Sequence, residues 1–538
     1  MSSMSDTIEI YDSTLRDGAQ AEGITYSLED KLLIARRLDQ LGVHYIEGGW
    51  PNPTNPKDLS FFREVAKLGL RARVTAFGST RRADRSPGED EILNTLLRAE
   101  TNSVCIFGKS WTLHVEAALK ISLEENLHLI EDSVAYLVGQ NREVIYDAEH
   151  FFDGYKADPQ YALQTLKAAQ QGGARLLVLC DTNGGTLPSE MDHILRQVVE
   201  ATGQPFGIHT HNDAGMGAAN SVVAVELGAV QVQGVFNGYG ERCGNANLCT
   251  LIPTLELKLG RHTIGREKLR ELMDFSRFLS EIANVYHDHR QPYVGESAFA
   301  HKGGVHIDAM IKNPLCYEHC DPEAVGNERR FLVSDQSGSS TIASKLAQVC
   351  PGLNKRDPLA QKVLAEVKRL EHEGYQFEAA EGSFELLARR AMGTYQDLFK
   401  LVNFRTITHS PTGEGVEGTE AILKVESGGE VHHTVAEGDG PVNALDKALR
   451  KALEQLFPCI RQVHLEDYKV RVLSSSDGTA ARVRVLIESS DGRDSWGTVG
   501  VSENIIEASW IALADSLHFK LMREAAQNQA TPSQAAGR

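Results

Sequence analysis

At 538 residues the chain is too long for one ordinary core, and two to four domains are expected. With 41% hydrophobic and 24% charged residues it reads as a globular protein rather than a disordered or fibrous one. A formal net charge of −18 argues against nucleic acid or an anionic membrane as the main partner, while leaving room for a small anionic substrate in a local cationic site.

The amino terminus, M-S-S-M-S-D-T-I-E-I, has no basic segment followed by an apolar one, and no apolar stretch is long enough to span a bilayer, so a cytoplasmic location is expected. From residue 8 to 260 one pattern recurs: a short β-branched run, a polar loop, then an amphipathic helical segment. Strands are predicted at 7–11, 44–48, 73–77, 103–107, 143–147, 175–180, 206–211 and 230–236. Helices are predicted at 28–41, 59–68, 111–137 and 161–171, among others. About eight such units over roughly 250 residues predict a TIM barrel. An open doubly wound sheet is the competitor, weakened because no G-x-G-x-x-G turn follows the first strand.

Catalytic groups of such barrels collect where the strands end. The first strand is followed by D-S-T-L-R-D-G-A-Q, the second by E-G-G-W-P and the fifth by D-A-E-H. The sixth ends in C-D-T-N-G, the seventh in H-T-H-N-D, and the eighth in N-G-Y-G-E-R-C-G-N. On a strand, residues two apart face the same way, so His209 and His211 project together. Two such histidines are half of a metal site, and the polar strand ends supply candidates for the rest. The eight cysteines are scattered and fit reduced thiols; Cys316 and Cys320 around His319 lack the second ligand pair of a zinc finger.

The runs D-S-T-L-R-D-G-A-Q, H-T-H-N-D and G-E-R-C-G-N-A-N, in this order and at these separations, resemble the DRE-TIM metallolyase superfamily. Within it they resemble the Claisen-condensing 2-isopropylmalate/homocitrate/citramalate synthase family. The run D-A-E-H-F-F-D-G-Y-K at 147–156 is most similar to the citramalate branch. The resemblance implies an acyltransferase that joins acetyl-CoA to a 2-keto acid, pyruvate in that branch and a larger keto acid in the others.

It also implies site residues. Asp17, His209 and His211 would hold a divalent metal, Mg or Mn with Zn as the alternative, and Asn245 would be a further or water-mediated ligand. Arg16 would stabilise the developing alkoxide, a structural salt bridge being the bland reading, with Glu47 orienting Arg16 or a metal-bound water. Thr182 would donate to the substrate carboxylate, or else form a loop cap with Asp181. Glu149 is the acid/base candidate, its proton affinity raised if Phe151, Phe152 and Tyr146 enclose it, and His150 is its rival. Cys243 stands where many relatives carry a small residue; a loop residue is the plain reading and a mechanistic thiol the tempting one.

Residues 266–391 read as mainly helical, interrupted by S-A-F-A-H-K-G-G-V-H-I-D-A-M at 297–310. By resemblance this segment reaches the neighbouring subunit's barrel and supplies His306, with His301 as rival, and Tyr317; at least a homodimer follows. From about 395 to 524 the chain becomes strand-rich, and T-V-A-E-G-D-G-P-V-N-A-L at 434 lines up with T-V-G-V-S-E-N-I-I-E-A-S at 498, a duplicated module. It resembles the LeuA-type regulatory domain, which implies isoleucine as effector; a dimerisation module without ligand is the alternative. The expected domains are thus a catalytic barrel at 1–265, helical linker subdomains at 266–394, an α+β regulatory domain at 395–524 and a disordered tail at 525–538. A lyase cleaving the reverse bond is disfavoured by the C-terminal module and the His306 segment, and a non-catalytic sensor by the retained polar strand ends.

Overall fold

The computed structural model describes residues 6–52, 56–334, 337–349, 356–409, 418–473 and 481–530. The chain divides into two compact units, residues 1–299 with 319–329, and residues 300–318 with 330–538.

In the first unit, β1 (Glu9–Asp12), β2 (Tyr45–Gly49), β3 (Arg73–Ser79), β4 (Ser103–Lys109), β5 (Glu143–Glu149), β6 (Leu176–Asp181), β7 (Phe206–Thr210) and β8 (Ala229–Gly234) form a closed barrel in sequential order. All neighbours are parallel, and closure runs from Glu9↔Gln231 to Asp12↔Gly234. Both faces of each strand are covered, which is why the strands read as near-continuous apolar runs. Alternate side chains divide between two layers. Tyr11, Tyr45, Phe77, Cys105, Ile145, Val178 and Cys180 fill the interior, whereas Ile10, Ile46, Val104, Ile106, Tyr146 and Leu179 pack outward against the helices.

The predicted eight-strand barrel is therefore the observed one, with shifted strand ends. β4 continues to Lys109 and β5 to Glu149, past the expected 107 and 147. Helix Leu28–Leu41 has its predicted bounds because Ser27 and Asp30 form a capping box and Gly42 ends it at φ 98°. The single helix predicted at 111–137 is broken into Thr112–His114, a π turn at Val115–Leu119 and Leu123–Gly139. Lys120 turns left-handed at φ 59°, and Ser122 restarts the helix by accepting from the Glu125 N–H.

In the second unit, β9 (Ala300–His301) pairs in parallel with β10 (Arg330–Phe331), and four helices follow or intervene: Gly304–Lys312, Ser339–Val349, Pro358–His372 and Glu381–Met392. Two copies of one module follow. β11 (Lys400–His409), β12 (Gly418–Ser427) and β13 (Glu430–Gly438) form an antiparallel sheet followed by helix Pro441–Leu453. β14 (His464–Val472), β15 (Val483–Ser490) and β16 (Ser495–Ser502) form a second, followed by helix Ile505–Ala530. The duplication extends to irregularities: the register slips between Leu401 and Asn403 and again between Leu465 and Asp467. Thr434 Oγ1 donates to the Ala448 carbonyl at 2.8 Å, and Thr498 Oγ1 to that of Ala512 at 2.8 Å. One sequence offset relates all of these pairs. The last helix runs through Ala530, into the tail expected to be disordered, because A-A-Q-N-Q-A contains no helix breaker; residues 531–538 lie outside the described ones. No described helix is long and apolar enough to cross a membrane.

The matched threonines differ in burial, Thr498 being fully enclosed and Thr434 half-buried. Thr498→Val should therefore destabilise by about 1 kcal/mol and Thr434→Val by less. Urea unfolding followed by fluorescence of Trp496 and Trp510 measures both.

Candidate active site

The site begins where β1 ends. Asp12 is buried, and its carboxylate accepts from Thr14 N–H at 3.1 Å and from Thr14 Oγ1 at 2.7 Å, starting the turn. The Ser13 N–H donates to the Gly234 carbonyl at 2.9 Å, so the turn is tied to the barrel's closing strand. This brings Asp17 to the mouth, 3.4 Å from His209 Nε2 and 3.8 Å from His211 Nε2, both measured from Oδ2. The two Nε2 atoms are 3.4 Å apart. All three residues are buried, and their ligand atoms lie within 4.8 Å of one another.

The donor set fits a divalent cation. With bonds of about 2.0–2.2 Å, neighbouring ligands of one ion stand about 3–3.5 Å apart. Among the described residues, buried Asp17 Oδ1 and Asn245 Oδ1 have no hydrogen-bond partner, the kind of deficit that a cation or its water relieves. Burial, then the adjacent His209, lowers His211 to about 4, so at neutral pH it presents a lone pair. Burial pushes the Asp17 carboxyl upward, but Arg16 and then His209 outweigh it and hold the group well below the usual range. His209 Nδ1 lies 2.9 Å from Gln233 Oε1.

Asn245 reaches the site through the loop after β8. His211 and Asn245 form an antiparallel bridge, and the Ala246 N–H donates to the Thr210 carbonyl at 2.8 Å. Gly244 sits at φ 80° where an added Cβ would stand 1.9 Å from the Gly238 carbonyl oxygen, so the loop needs glycine there. Cys243 is exposed on that loop.

Arg16 spans two carboxylates. Its Nε donates to Glu47 at 2.6 Å, its Nη1 to Asp17 at 3.1 Å, and the guanidinium carbon lies 3.8 Å from the Phe77 ring centre. Glu47, fully buried, also accepts from Tyr11 OH at 2.7 Å and from Ser13 Oγ. Burial lowers the Arg16 proton affinity, but the charges of Glu47 and Asp17 more than restore it, so the cation is permanent.

Glu149 does not sit in the apolar enclosure expected for it. It shares the inward face with Ile145 and Asp147, whereas strand alternation turns Tyr146 to the outer layer, where Phe151 and Phe152, past the strand's end in helix Phe151–Ala157, also pack. It is partly exposed and paired with Lys109, its register neighbour on β4. Thr182 Oγ1 accepts from the His150 N–H at 2.9 Å, and the Thr182 carbonyl accepts from Arg242 at 2.7 Å. His150 Nδ1 lies 3.4 Å from Asp153. The mouth thus gathers Arg16, Asp17, Glu47, Glu149, Thr182, His209, His211 and Asn245. His306 and Tyr317 belong to the second unit, where their rings stack at 4.2 Å and both are exposed. His301 lies in that unit too, 3.3 Å from buried Glu318.

Sequence reasoning missed Lys109, Asp147 and Gln233. A period of two carried through β4, β5 and β8 marks all three as inward polar residues in apolar runs. Burial pushes Asp147 up to about 6, against the lowering effect of His209.

Residues 7–278 match the HMGL-like family model, residues 293–375 the homocitrate synthase post-HMGL domain-like model, and residues 378–521 the LeuA allosteric (dimerisation) domain. The (R)-citramalate synthase of Geobacter sulfurreducens is 55% identical over 96% of this chain and 97% of its own. The chain belongs to the citramalate synthase family. Another family member, the (R)-citramalate synthase of Aquifex aeolicus, is 52% identical over 97% of this chain and 99% of its own. A probable 2-isopropylmalate synthase of Methanopyrus kandleri is 31% identical over 94% and 97%. The family resemblance drawn from the three motifs and the barrel-plus-LeuA architecture therefore agree with the comparisons.

Burial raises Asp12 from 3.8 to about 7, opposed by its bonds from Thr14. A carboxyl raised in the folded state is favoured when protonated, so its contribution to stability is full below pH 4 and lost as pH rises through 7. Asp12→Asn abolishes that titration. The melting temperature of the variant minus that of the parent should be more positive at pH 8.5 than at pH 5. Gly244→Ala should weaken Mn²⁺ binding to the purified protein by about tenfold or more by displacing Asn245.

Proposed function

We propose that the chain condenses acetyl-CoA with pyruvate and water to give (R)-citramalate and CoA. The observation that carries this is full-length similarity to (R)-citramalate synthases combined with an Asp-His-His cluster at a barrel mouth. In the proposal Asp17, His209 and His211 hold a divalent cation, Mg or Mn with Zn as the alternative, and Asn245 contributes directly or through water. When bound, the cation supplies Lewis acidity to the keto group.

Arg16, kept cationic between Glu47 and Asp17, stabilises the negative charge that develops on the keto oxygen. Thr182, whose oxygen already accepts from His150, keeps its own proton to donate to the substrate carboxylate. Glu149, ion-paired with Lys109, takes the proton of the acetyl methyl. The methyl carbon then bonds to the keto carbon, the carbonyl π electrons pass to its oxygen, and that oxygen takes up the proton removed from the methyl. Water cleaves the thioester, so that one carboxylate and one free thiol leave.

His306 and Tyr317 act in the neighbouring subunit's site, His306 in the deprotonation and Tyr317 as a hydrogen-bond donor to the enolate or CoA. Their exposure within their own unit supports this. A homodimer is built through the LeuA module, on whose outer strands Leu401, Val402, Ile407, Val470 and Val472 are exposed. Isoleucine is its effector, in a role in isoleucine biosynthesis in the cytoplasm. In this reading residues 1–265 are the catalytic barrel, residues 266–394 the linkers and residues 395–524 the regulatory module.

Free thiol released from acetyl-CoA is the decisive readout. Pyruvate should support it at least about tenfold better than 2-oxoisovalerate or 2-oxoglutarate, the margin that added methylenes give a tight pocket. A preference for either larger acid would make the chain a 2-isopropylmalate- or homocitrate-type enzyme. Isoleucine should slow the reaction, and an unchanged rate would leave the module to dimerisation alone. Arg16→Lys should lower kcat by about 10²–10³-fold, with Mn²⁺ binding retained.

A further inference from the structure

Beneath the candidate cation ligands the barrel interior holds a polar chain that the reaction scheme does not use. β8 turns Gln231 and Gln233 inward, both fully buried. The β7–β8 register sets His209 beside Gln233, where His209 Nδ1 and Gln233 Oε1 are 2.9 Å apart. The other end of the same amide donates, Gln233 Nε2 to Asp147 Oδ1, at 3.2 Å. Asp147 comes from β5 and is 3% exposed.

The directions of these bonds are forced. A carboxylate only accepts, so Asp147 claims the NH₂ end of the amide. That leaves the amide oxygen for His209, and two acceptors cannot bond, so Nδ1 must carry the imidazole proton. In the neutral imidazole that ligation requires, Nε2 then keeps its lone pair, and Nε2 is the atom that stands 3.4 Å from both Asp17 Oδ2 and His211 Nε2. The same bond fixes the rotation of the ring. Gln231 Oε1, at 3.5 Å from Gln233 Nε2, is a second acceptor on the same side and reinforces the orientation.

We infer that Gln233 is a positioning residue for His209, itself oriented by Asp147, and that this relay decides which nitrogen of His209 meets the cation. The inference rests on the reading of Asp17, His209 and His211 as cation ligands. A buried amide between a carboxylate and a ligating imidazole does the work that a directly bonded carboxylate does in many metal sites, without adding negative charge next to the ion.

The test is Mn²⁺ titrated into the EDTA-treated full-length protein, with free Mn²⁺ read by electron paramagnetic resonance. Gln233→Met keeps the length of the side chain and removes its acceptor, and the dissociation constant should rise about 10–100-fold. Gln233→Glu returns an acceptor to His209 Nδ1 and should recover most of that loss, although the metal-free melting temperatures of the two variants are similar. A merely structural role would not separate them in this way. Binding by Gln233→Met within about twofold of the parent, or Gln233→Glu as weak as Gln233→Met, overturns the inference. If Gln233→Met does not fold, Asp147→Asn carries the test: its amide lets Gln233 turn over, affinity must fall, and unchanged affinity overturns the relay. A parent protein that takes up no Mn²⁺ overturns the ligand reading as well, and so the two failures are distinguishable.

Discussion

The first unit is constrained above all by buried charge at one end of the barrel. Asp17 and Glu47 are almost fully withdrawn from water, and a carboxylate in that position is tolerated only if other groups replace its hydration. One guanidinium serves both. With His211 held neutral, two carboxylates face a single permanent cation, and Asp17 Oδ1 and Asn245 Oδ1 still have no donor. The cluster is therefore short of donors at the point where three ligand atoms converge. This shortfall ties the arrangement to a cation more firmly than the presence of two histidines does, because paired histidines also occur as plain core polar residues.

Strand register carries most of the remaining placement. Lys109 meets Glu149 and His209 meets Gln233 because each pair is aligned on adjacent parallel strands with the same parity. Loops contribute where parity cannot. The Asp12–Thr14 turn aims Asp17 across the mouth, and the loop through Gly244 folds back to bridge Asn245 to His211. Phe77 supports Arg16 from the barrel interior, and Tyr11 and Ser13 hold Glu47, so the guanidinium is fixed on its aromatic side and on its carboxylate side. Rigid placement of this kind is what lets a charge act on a developing oxyanion without reorganising first.

The eight strands and the mouth they open onto were legible in the sequence because β-branched runs ending in Asp, Glu, Asn and His leave a strong signal. What was lost follows from strand ends and parity. Ending β4 at Phe107 leaves Lys109 in a loop, and the partner of Glu149 disappears with it. Judging Glu149 by its sequence neighbours Phe151 and Phe152 ignores that the strand ends at Glu149 and that the helix after it turns both rings to the outer layer. Gln233 is one of two glutamines in A-V-Q-V-Q-G, and only the barrel brings it its partners His209 and Asp147, the latter far away in sequence. The break at Lys120 was hidden by an amphipathic pattern that continues on both sides of it. His306 and Tyr317 were reached through family resemblance rather than pattern, since nothing local distinguishes them from other exposed polar residues.

The duplicated module shows how two copies of one design can take different tasks. Both keep the Thr-to-helix hydrogen bond and the register slip, which are features of the module's own geometry. Among the described residues the second copy is tied to the helical region by side-chain hydrogen bonds. Ser383 donates to Asp515 at 2.8 Å and accepts from the Val499 N–H at 3.0 Å, and Arg390 reaches Asp515 at 3.2 Å, so helix Glu381–Met392 is fastened at once to β16 and to the last helix. The corresponding helix of the first copy, Pro441–Leu453, ends much sooner. Asp515 is buried, so releasing it from Ser383 and Arg390 would leave a carboxylate without donors, a cost that makes the joint stiff. A shift in the sheet of the second copy is therefore passed to helix Glu381–Met392 rather than absorbed at the junction.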